Sequence, residues 1–320
     1  MIKFENQTFV PDENESLLDC LLRHGIAVAY SCRNGICQTC LMRAIEGDPP
    51  ASSQKGLKDS QISQRYFLAC SCYPQAELEV VLPDSQNFRF QSRVLEKTFL
   101  SDSVLRLRIS RPDNFNYYAG QYLTIFKSDT LGRSYSLASV PAVDPYLEFH
   151  IQVLPNGKVS QWLSHEIAVN EPVVISEPLG NCIYTGDAKN NPLLLIGTGT
   201  GLAPLMGIVR QAINENHQPE IRIYHGVRTN ADLYLDKDLK SLAERHDNLH
   251  YYPCVTRELP TEPGARQGRA NVLALEDNRA LKDVSVYICG NPDMVNSTKR
   301  QIFLAGASLQ NIHADPFLHS

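Results

Sequence analysis

Three cysteines stand at positions 32, 37 and 40 in the stretch SCRNGICQTC, and a fourth, Cys70, follows in RYFLACSC. The spacing C-x4-C-x2-C with a distant fourth cysteine is that of 2Fe-2S clusters of the plant type. Thiolates so spaced must converge from one small, turn-rich loop, and Asn34 and Gly35 suit such a loop. Zinc is a rival, but structural zinc usually takes two C-x2-C-like pairs, and Cys70 and Cys72 lie too close together to make the second. A set of buried or free thiols is the remaining alternative. Five of the nine cysteines fall between positions 32 and 72. Without a secretion signal, such clustering points to metal or redox chemistry rather than to disulfides.

A second constellation is RSYSLAS, from Arg133 to Ser139. Arginine can bind a phosphate bidentately, tyrosine can cover a ring face, and serine can hydrogen-bond a ring nitrogen. Arg133 and Ser136 would share a side of an extended segment only if a bend followed Tyr135. A barrel strand carrying a surface arginine is the plain alternative. A third stretch, LLLIGTGTGLAPL, places a glycine-rich loop between a strand and a helix, where backbone N–H groups and the helix dipole favour an anion. It is not the G-x-G-x-x-G dinucleotide fingerprint, because Leu202 occupies the last glycine position.

These groups need elements to hold them. IKFENQTFV reads as a hairpin turning at Asn6. Ser16 to His24 reads as a helix with Leu17, Leu18, Leu21 and Leu22 on one stripe, Asn14 as its N-cap and Gly25 just past its end. AELEVVLPD reads as a strand, and a linker is placed at about 84–88. The next hundred residues alternate with period two: Leu105, Leu107 and Ile109, then Leu147, Phe149, Ile151 and Val153. With RVLEKTFL and GQYLTIF they predict an antiparallel barrel or sandwich. From about Asn190, strand and helix alternate: PLLLIG, a helix from Pro204, EIRIYHG, a helix near 237–246, LHYYP, VSVYICG and a helix from Pro292. A parallel sheet with helices on both faces is expected.

The segments AYSCRNGICQTC and YFLAC resemble plant-type ferredoxin domains over residues 1 to 83. That resemblance implies a β-grasp fold with Cys32, Cys37, Cys40 and Cys70 as cluster ligands, and leaves Cys72 as a spare thiol or a core residue. RSYS, preceded by AGQYLTI and followed by NGKVSQWL and EPLGN, resembles the flavin domain of the ferredoxin-NADP reductase superfamily. By that resemblance Arg133 meets the FAD pyrophosphate, Tyr135 packs on the isoalloxazine and Ser136 lies near flavin N5. Gly157, Lys158, Val159 and Ser160 then form a second phosphate-binding turn, although Gly157 alone reads as a hairpin turn. GTGTGLAP and CGNPDM resemble the nicotinamide-dinucleotide elements of the same superfamily, which puts Gly197, Thr198, Gly199, Thr200 and Gly201 on the pyrophosphate and Cys289 and Gly290 beside the nicotinamide. Asn291 intervenes where that pattern often has proline directly after the glycine. Phe317 resembles the aromatic residue that covers the other flavin face, or it is tucked into core or frayed. In YHGVRTNADLY, Arg228 has no second basic residue before Lys237 and Asp232 is near, which favours NADH over NADPH.

Three modules are therefore expected: a β-grasp 2Fe-2S ferredoxin domain (1–86), an antiparallel β-barrel FAD domain (87–187) and a parallel α/β NAD domain (188–320). The order resembles that of NADH-dependent reductase components of bacterial multicomponent oxygenases. It implies electron flow from NADH through FAD to the cluster and on to a separate protein acceptor, with Ser136 and Cys289 at the hydride path. Reductases serving sugar dehydratases share this order, and a redox carrier or sensor without turnover is a third reading. The chain has 320 residues, 43% hydrophobic and 20% charged, as in ordinary globular proteins. A net charge of -5 supplies no basic field for nucleic acid or an anionic membrane. The start MIKFENQTFV carries no signal pattern, and no run of about 18 apolar residues occurs, so a cytoplasmic protein is expected without membrane insertion.

Overall fold

The computed structural model describes residues 1–28, 30, 33–35, 40–57, 59–82, 89–128 and 131–317, with backbone only for residues 59, 60 and 187. The chain divides into two compact units, Met1–Phe88 and Arg89–Ser320. The expected linker at 84–88 lies outside the described residues.

In the first unit, strands β1 (Ile2–Phe4), β2 (Gln7–Phe9), β3 (Leu41–Glu46), β4 (Tyr66–Leu68) and β5 (Leu78–Val81) form one sheet in the order β2-β1-β5-β3-β4. The β1–β2 hairpin turns through Glu5 and Asn6, both with positive φ, as a two-residue turn of matching twist requires. Helix α1 (Leu17–Arg23) buries Leu17, Leu18 and Leu21 against the sheet. Its N-cap is Ser16, whose hydroxyl accepts from Asp19 N at 3.1 Å, and not Asn14. Asn14 instead takes a left-handed turn conformation (φ 61) ahead of the helix, the other setting that favours asparagine. Gly25 follows the helix at φ 80 as expected. A short helix, α2 (Asp59–Ser63), precedes β4. Cys72 is fully buried, and burial pushes its thiol up to about 12, so it is a core residue.

The second unit begins with six antiparallel strands: β6 (Arg89–Ser101), β7 (Val104–Ser110), β8 (Tyr122–Ser128), β9 (Leu131–Ser136), β10 (Tyr146–Gln152) and β11 (Pro172–Ser176). Their order is β10-β7-β6-β11-β8-β9. The two end strands meet through a Leu137–Phe149 bridge and the Ala138 N to Glu148 O bond of 2.9 Å, which closes the barrel. The alternating Leu105, Leu107, Ile109, Leu147, Phe149 and Ile151 fill its interior. Helix α3 (Lys158–Gln161) and the wider turn that continues it to Glu166 cover one end.

The rest of the unit is a parallel sheet of β12 (Leu193–Thr198), β13 (Ile221–Val227), β14 (Leu249–Val255), β15 (Arg266–Gln267), β16 (Ser285–Gly290) and β17 (Ile312–Pro316), in the order β15-β14-β13-β12-β16-β17. Leu193 and Leu195 face helices α4 (Leu202–Asn214) and α5 (Asp236–Arg245). Leu194 and Ile196 face α6 (Ala270–Asp277) and α7 (Pro292–Leu304). Burial on both faces explains why the central strands β12 and β16 read as nearly continuous apolar runs. The order reverses between β12 and β16, where the strand ends of such a sheet form a ligand crevice. Helix α4 also packs on the barrel. Gly207 lies so close that a Cβ would meet Leu137 O at 3.0 Å, and Arg210 grips Asp144 through two 2.8 Å bonds. Among the described residues, no helix is long and apolar enough to cross a membrane.

Candidate active site

The loop after β12 runs through Gly199–Gly201 into α4, which begins at Leu202 with Pro204 in its first turn. Gly201 accepts no side chain. A Cβ there would lie 2.3 Å from Cys289 O and 2.7 Å from Cys289 C. Asn291 N donates to Thr198 Oγ1 at 3.1 Å, so the two strand ends are stitched together. The loop residues Gly197 to Gly201 and the pair Cys289–Gly290 are thereby brought to one place. Among the described residues no side chain caps α4, which leaves its first N–H groups as candidate donors to an anion. The inserted Asn291 has a local reason: its side chain accepts from Asp293 N and Met294 N and caps α7, with Pro292 at the first helical position.

β9 runs straight through Ser136, so the RSYS side chains alternate. Arg133 is exposed, Tyr135 packs at the barrel rim and Ser136 is buried. The Ser136 hydroxyl donates to Asp315 Oδ2 at 3.0 Å. Asp315 lies on β17 directly opposite Cys289, and Phe317 N donates to Gly290 O at 2.8 Å. Barrel and parallel sheet thus meet at Ser136, Asp315, Cys289 and Gly290, with half-buried Phe317 adjoining. Burial raises the Asp315 carboxyl to about 6, although the Ser136 hydrogen bond opposes the shift. The Cys289 thiol is fully buried and held neutral by burial and by Cys182, whose sulfur is 3.5 Å away.

In the turn at Gly157–Ser160, Val159 is in the barrel core and the Ser160 hydroxyl accepts from Leu154 N at 3.2 Å and donates to Gly157 O at 3.3 Å. Gly157 caps this short helix with no side-chain hydrogen bond among the described residues, so what the turn could offer an anion is the main-chain N–H groups of Lys158, Val159 and Ser160.

Cys40 precedes β3 and Cys70 follows β4, and the β3–β4 pairing brings these buried thiols together. Burial, with Cys70 alongside, pushes the Cys40 thiol up to about 11. A cation must displace that proton to gain a ligand. Cys32 and Cys37 lie outside the described residues. Gly35 takes φ 71 and approaches Ser71 so closely that a Cβ would sit 2.8 Å from its Oγ, which places Gly35 against the turn that carries Cys70.

Arg228 does not stand alone in three dimensions. It lines a cavity of about 440 Å³ with Thr256, Arg257, Gln267, Gly268 and Arg269, all at the C-terminal ends of β13 to β15. None of the three guanidiniums forms an ion pair among the described residues. Asp232 is occupied: its carboxylate accepts from Thr229 N at 3.0 Å and Thr229 Oγ1 at 2.8 Å. Both premises of the NADH preference read from the sequence are therefore altered. Asp315, Arg257 and Arg269 escaped the sequence reading. The last two were open to the rule that ligands collect beyond the carboxyl ends of parallel strands.

Two helix starts open to a phosphate, an aromatic ring at the barrel rim and a buried thiol pair are features expected of a flavin- and nicotinamide-dependent iron–sulfur electron-transfer protein. Family models for a 2Fe-2S iron-sulfur cluster binding domain, an oxidoreductase FAD-binding domain and an oxidoreductase NAD-binding domain match residues 2–75, 91–184 and 195–300. The ferredoxin–NAD(P)+ reductase component of the naphthalene 1,2-dioxygenase and salicylate 5-hydroxylase systems of a Ralstonia species is 32% identical over 97% of this chain and 95% of its own length. A CDP-6-deoxy-L-threo-D-glycero-4-hexulose-3-dehydrase reductase of Yersinia pestis is 27% identical over 98% of this chain and 96% of its own. The crystal structure of an Amycolatopsis cytochrome P450 reductase superposes with a TM-score of 0.69 at 28% identity, covering 99% of this chain and 98% of that one. The chain belongs to the family of iron–sulfur ferredoxin–NAD(P)+ reductases that carry these three domains. It is an NAD(P)H-dependent oxidoreductase using FAD and a 2Fe-2S cluster.

Proposed function

We propose that this chain supplies electrons from NAD(P)H to a separate oxygenase component, with modules at 1–86, 87–187 and 188–320. The observation that carries the reading is the convergence of Ser136, Asp315, Cys289 and Gly290 where the barrel meets the crevice of the parallel sheet. Flavin, when bound, takes a hydride from the nicotinamide and yields electrons singly to an iron–sulfur cluster. The chain's own residues do the rest. Arg133 and the N–H groups of Lys158 to Ser160 hold one pyrophosphate, and Gly197 to Gly201 with the start of α4 hold the other. Tyr135 and Phe317 fix the ring plane. Ser136 holds its proton on Asp315, so the hydroxyl is oriented before any ligand arrives. Cys289, neutral and buried at the end of β16, stands with Gly290 beside the nicotinamide site of this reading. Cys32, Cys37, Cys40 and Cys70 are the cluster ligands of this reading. The relatives that serve oxygenases favour that acceptor, and the relative that serves a sugar dehydrase keeps it as the second reading.

The three-arginine cavity adds that NADPH is used as well as NADH, its 2′-phosphate received by Arg228, Arg257 and Arg269. Anaerobic titration followed by absorbance and EPR tests both claims. Either coenzyme should deliver about three electrons per chain, two to the flavin and one to the cluster, with a rhombic 2Fe-2S signal. Arg257→Ala should raise the KM for NADPH about tenfold or more and leave that for NADH nearly unchanged. Bleached flavin without the signal would refute the relay. Equal losses with both coenzymes would refute the phosphate assignment.

A further inference from the structure

One buried histidine lies directly under the nucleotide loop. His225 is on β13, in register with Gly197, and is wholly inaccessible to solvent. Its Nε2 is 3.1 Å from Gly199 O. A carbonyl can only accept, so Nε2 carries the proton and Nδ1 is left as a bare lone pair. Among the described residues, Nδ1 has no hydrogen-bond partner. The one hydrogen bond that this side chain makes among the described residues therefore goes to a peptide of the loop. Gly199 holds a left-handed φ of 53, and the peptide that carries its carbonyl also carries the Thr200 N–H, so rotation of that peptide would redirect a donor of the loop.

The imidazole is also walled in. The ring of Tyr234 meets it edge-on at 5.5 Å between centroids and meets His150 of the barrel likewise at 5.3 Å. The Tyr234 hydroxyl is 3.4 Å from His150 Nδ1, and His150 Nε2 is 3.2 Å from Glu148 Oε1. Glu148 N in turn donates to Ser139 Oγ at 3.1 Å, three residues beyond Ser136. A continuous buried path therefore runs from the segment that carries Ser136 to the carbonyl of Gly199. Desolvation lowers the His225 pKa to about 4, which keeps the ring in its single-donor form at neutral pH.

We propose that His225 is a positioning residue for the pyrophosphate of the nicotinamide dinucleotide: through Gly199 it fixes the aim of the loop, and the Tyr234–His150 pair keeps it in register with the barrel. The proposal rests on the reading of Gly197 to Gly201 as the nucleotide loop. NAD+ binding to the FAD-loaded protein, measured by calorimetry, tests it. His225→Phe fills the space without a donor and should weaken binding roughly three- to tenfold, the worth of one hydrogen bond. His225→Gln, whose amide reaches the Nε2 position, should recover most of that loss. Equal affinities in all three proteins, or equal losses in the two variants that follow their thermal stability, would overturn it. Failure of the unaltered protein to bind NAD+ would instead remove the underlying loop reading. A measurement without substitution stands beside these: 15N chemical shifts of the labelled holoprotein should show His225 as the Nε2–H tautomer from pH 6 to 8. The Nδ1–H tautomer would refute the proposal.

Discussion

Ser136 and Asp315 lie 179 positions apart in the chain and share one hydrogen bond. Only the first was visible in the sequence, because it sits in a motif of three chemically useful residues. Asp315 sits in HADPF, where nothing in spacing or period marks it, and a parallel strand pairing is what places it opposite Cys289. Its carboxyl titrates at about 6 rather than near 3.8, so the folded protein binds a proton there that the unfolded chain has released. Between about pH 4 and 6 this contribution to stability falls as pH rises, and above 6 the full penalty of roughly 3 kcal/mol applies. Asp315→Asn should therefore be more stable than the unaltered protein at pH 8 by up to that amount, with little difference at about pH 3.5, in urea unfolding monitored by tyrosine and tryptophan fluorescence. A gap that does not change with pH would refute the raised carboxyl. The arginine pair Arg257 and Arg269 was missed for a similar reason: three guanidiniums from three strand ends are scattered in sequence and adjacent only once the sheet is formed.

At the scale of elements, period alone placed most of the architecture. The two-residue alternation of β7 implies one buried face and the apolar runs of β12 and β16 imply two, whereas β10 alternates in sequence yet buries Glu148 and His150 on its polar side as well. Ends were less legible. Asn14 and Ser16 are both good capping residues, and the choice fell to Ser16 because its hydroxyl reaches Asp19 N. The nucleotide loop is more exacting than its composition suggests, since its two central glycines serve different needs. Gly199 has open space around its Cβ position and needs only its left-handed φ, whereas Gly201 abuts the backbone of Cys289. Gly199→Ala should cost about 1–2 kcal/mol through backbone strain. Gly201→Ala should cost more, at or above the roughly 1–3 kcal/mol of overpacking, because a rigid strand end cannot yield. Thermal unfolding of the two variants decides this, and an equal or reversed order would refute the close approach.

The whole molecule separates after Phe88, and the Arg89–Ser320 unit holds its own barrel, sheet and three hydrophobic clusters. A protein beginning at Arg89 should fold, bind FAD and reduce ferricyanide with NAD(P)H at a rate near that of the full chain, while giving no 2Fe-2S signal and reducing no one-electron protein acceptor. Loss of FAD binding on removal of the first unit would refute the independence of the second. The three-part plan was readable from motif order alone, since each module announces its cofactor in one short stretch. What lies between the modules was not readable: the Arg210–Asp144 grip and the Gly207 approach join α4 to the barrel through residues with no motif of their own.

The position of β17 has a consequence for how the protein is made. It follows every other described strand and helix in the chain, yet it supplies Asp315 and the main-chain anchor of Phe317. A ribosome adding about 5–20 residues per second delivers the barrel and the inner strands of the sheet well before this edge strand emerges. A nascent or truncated chain can therefore be largely folded and still lack the partner that orients Ser136. Competence at Ser136 thus depends on an element made after the barrel and the inner strands.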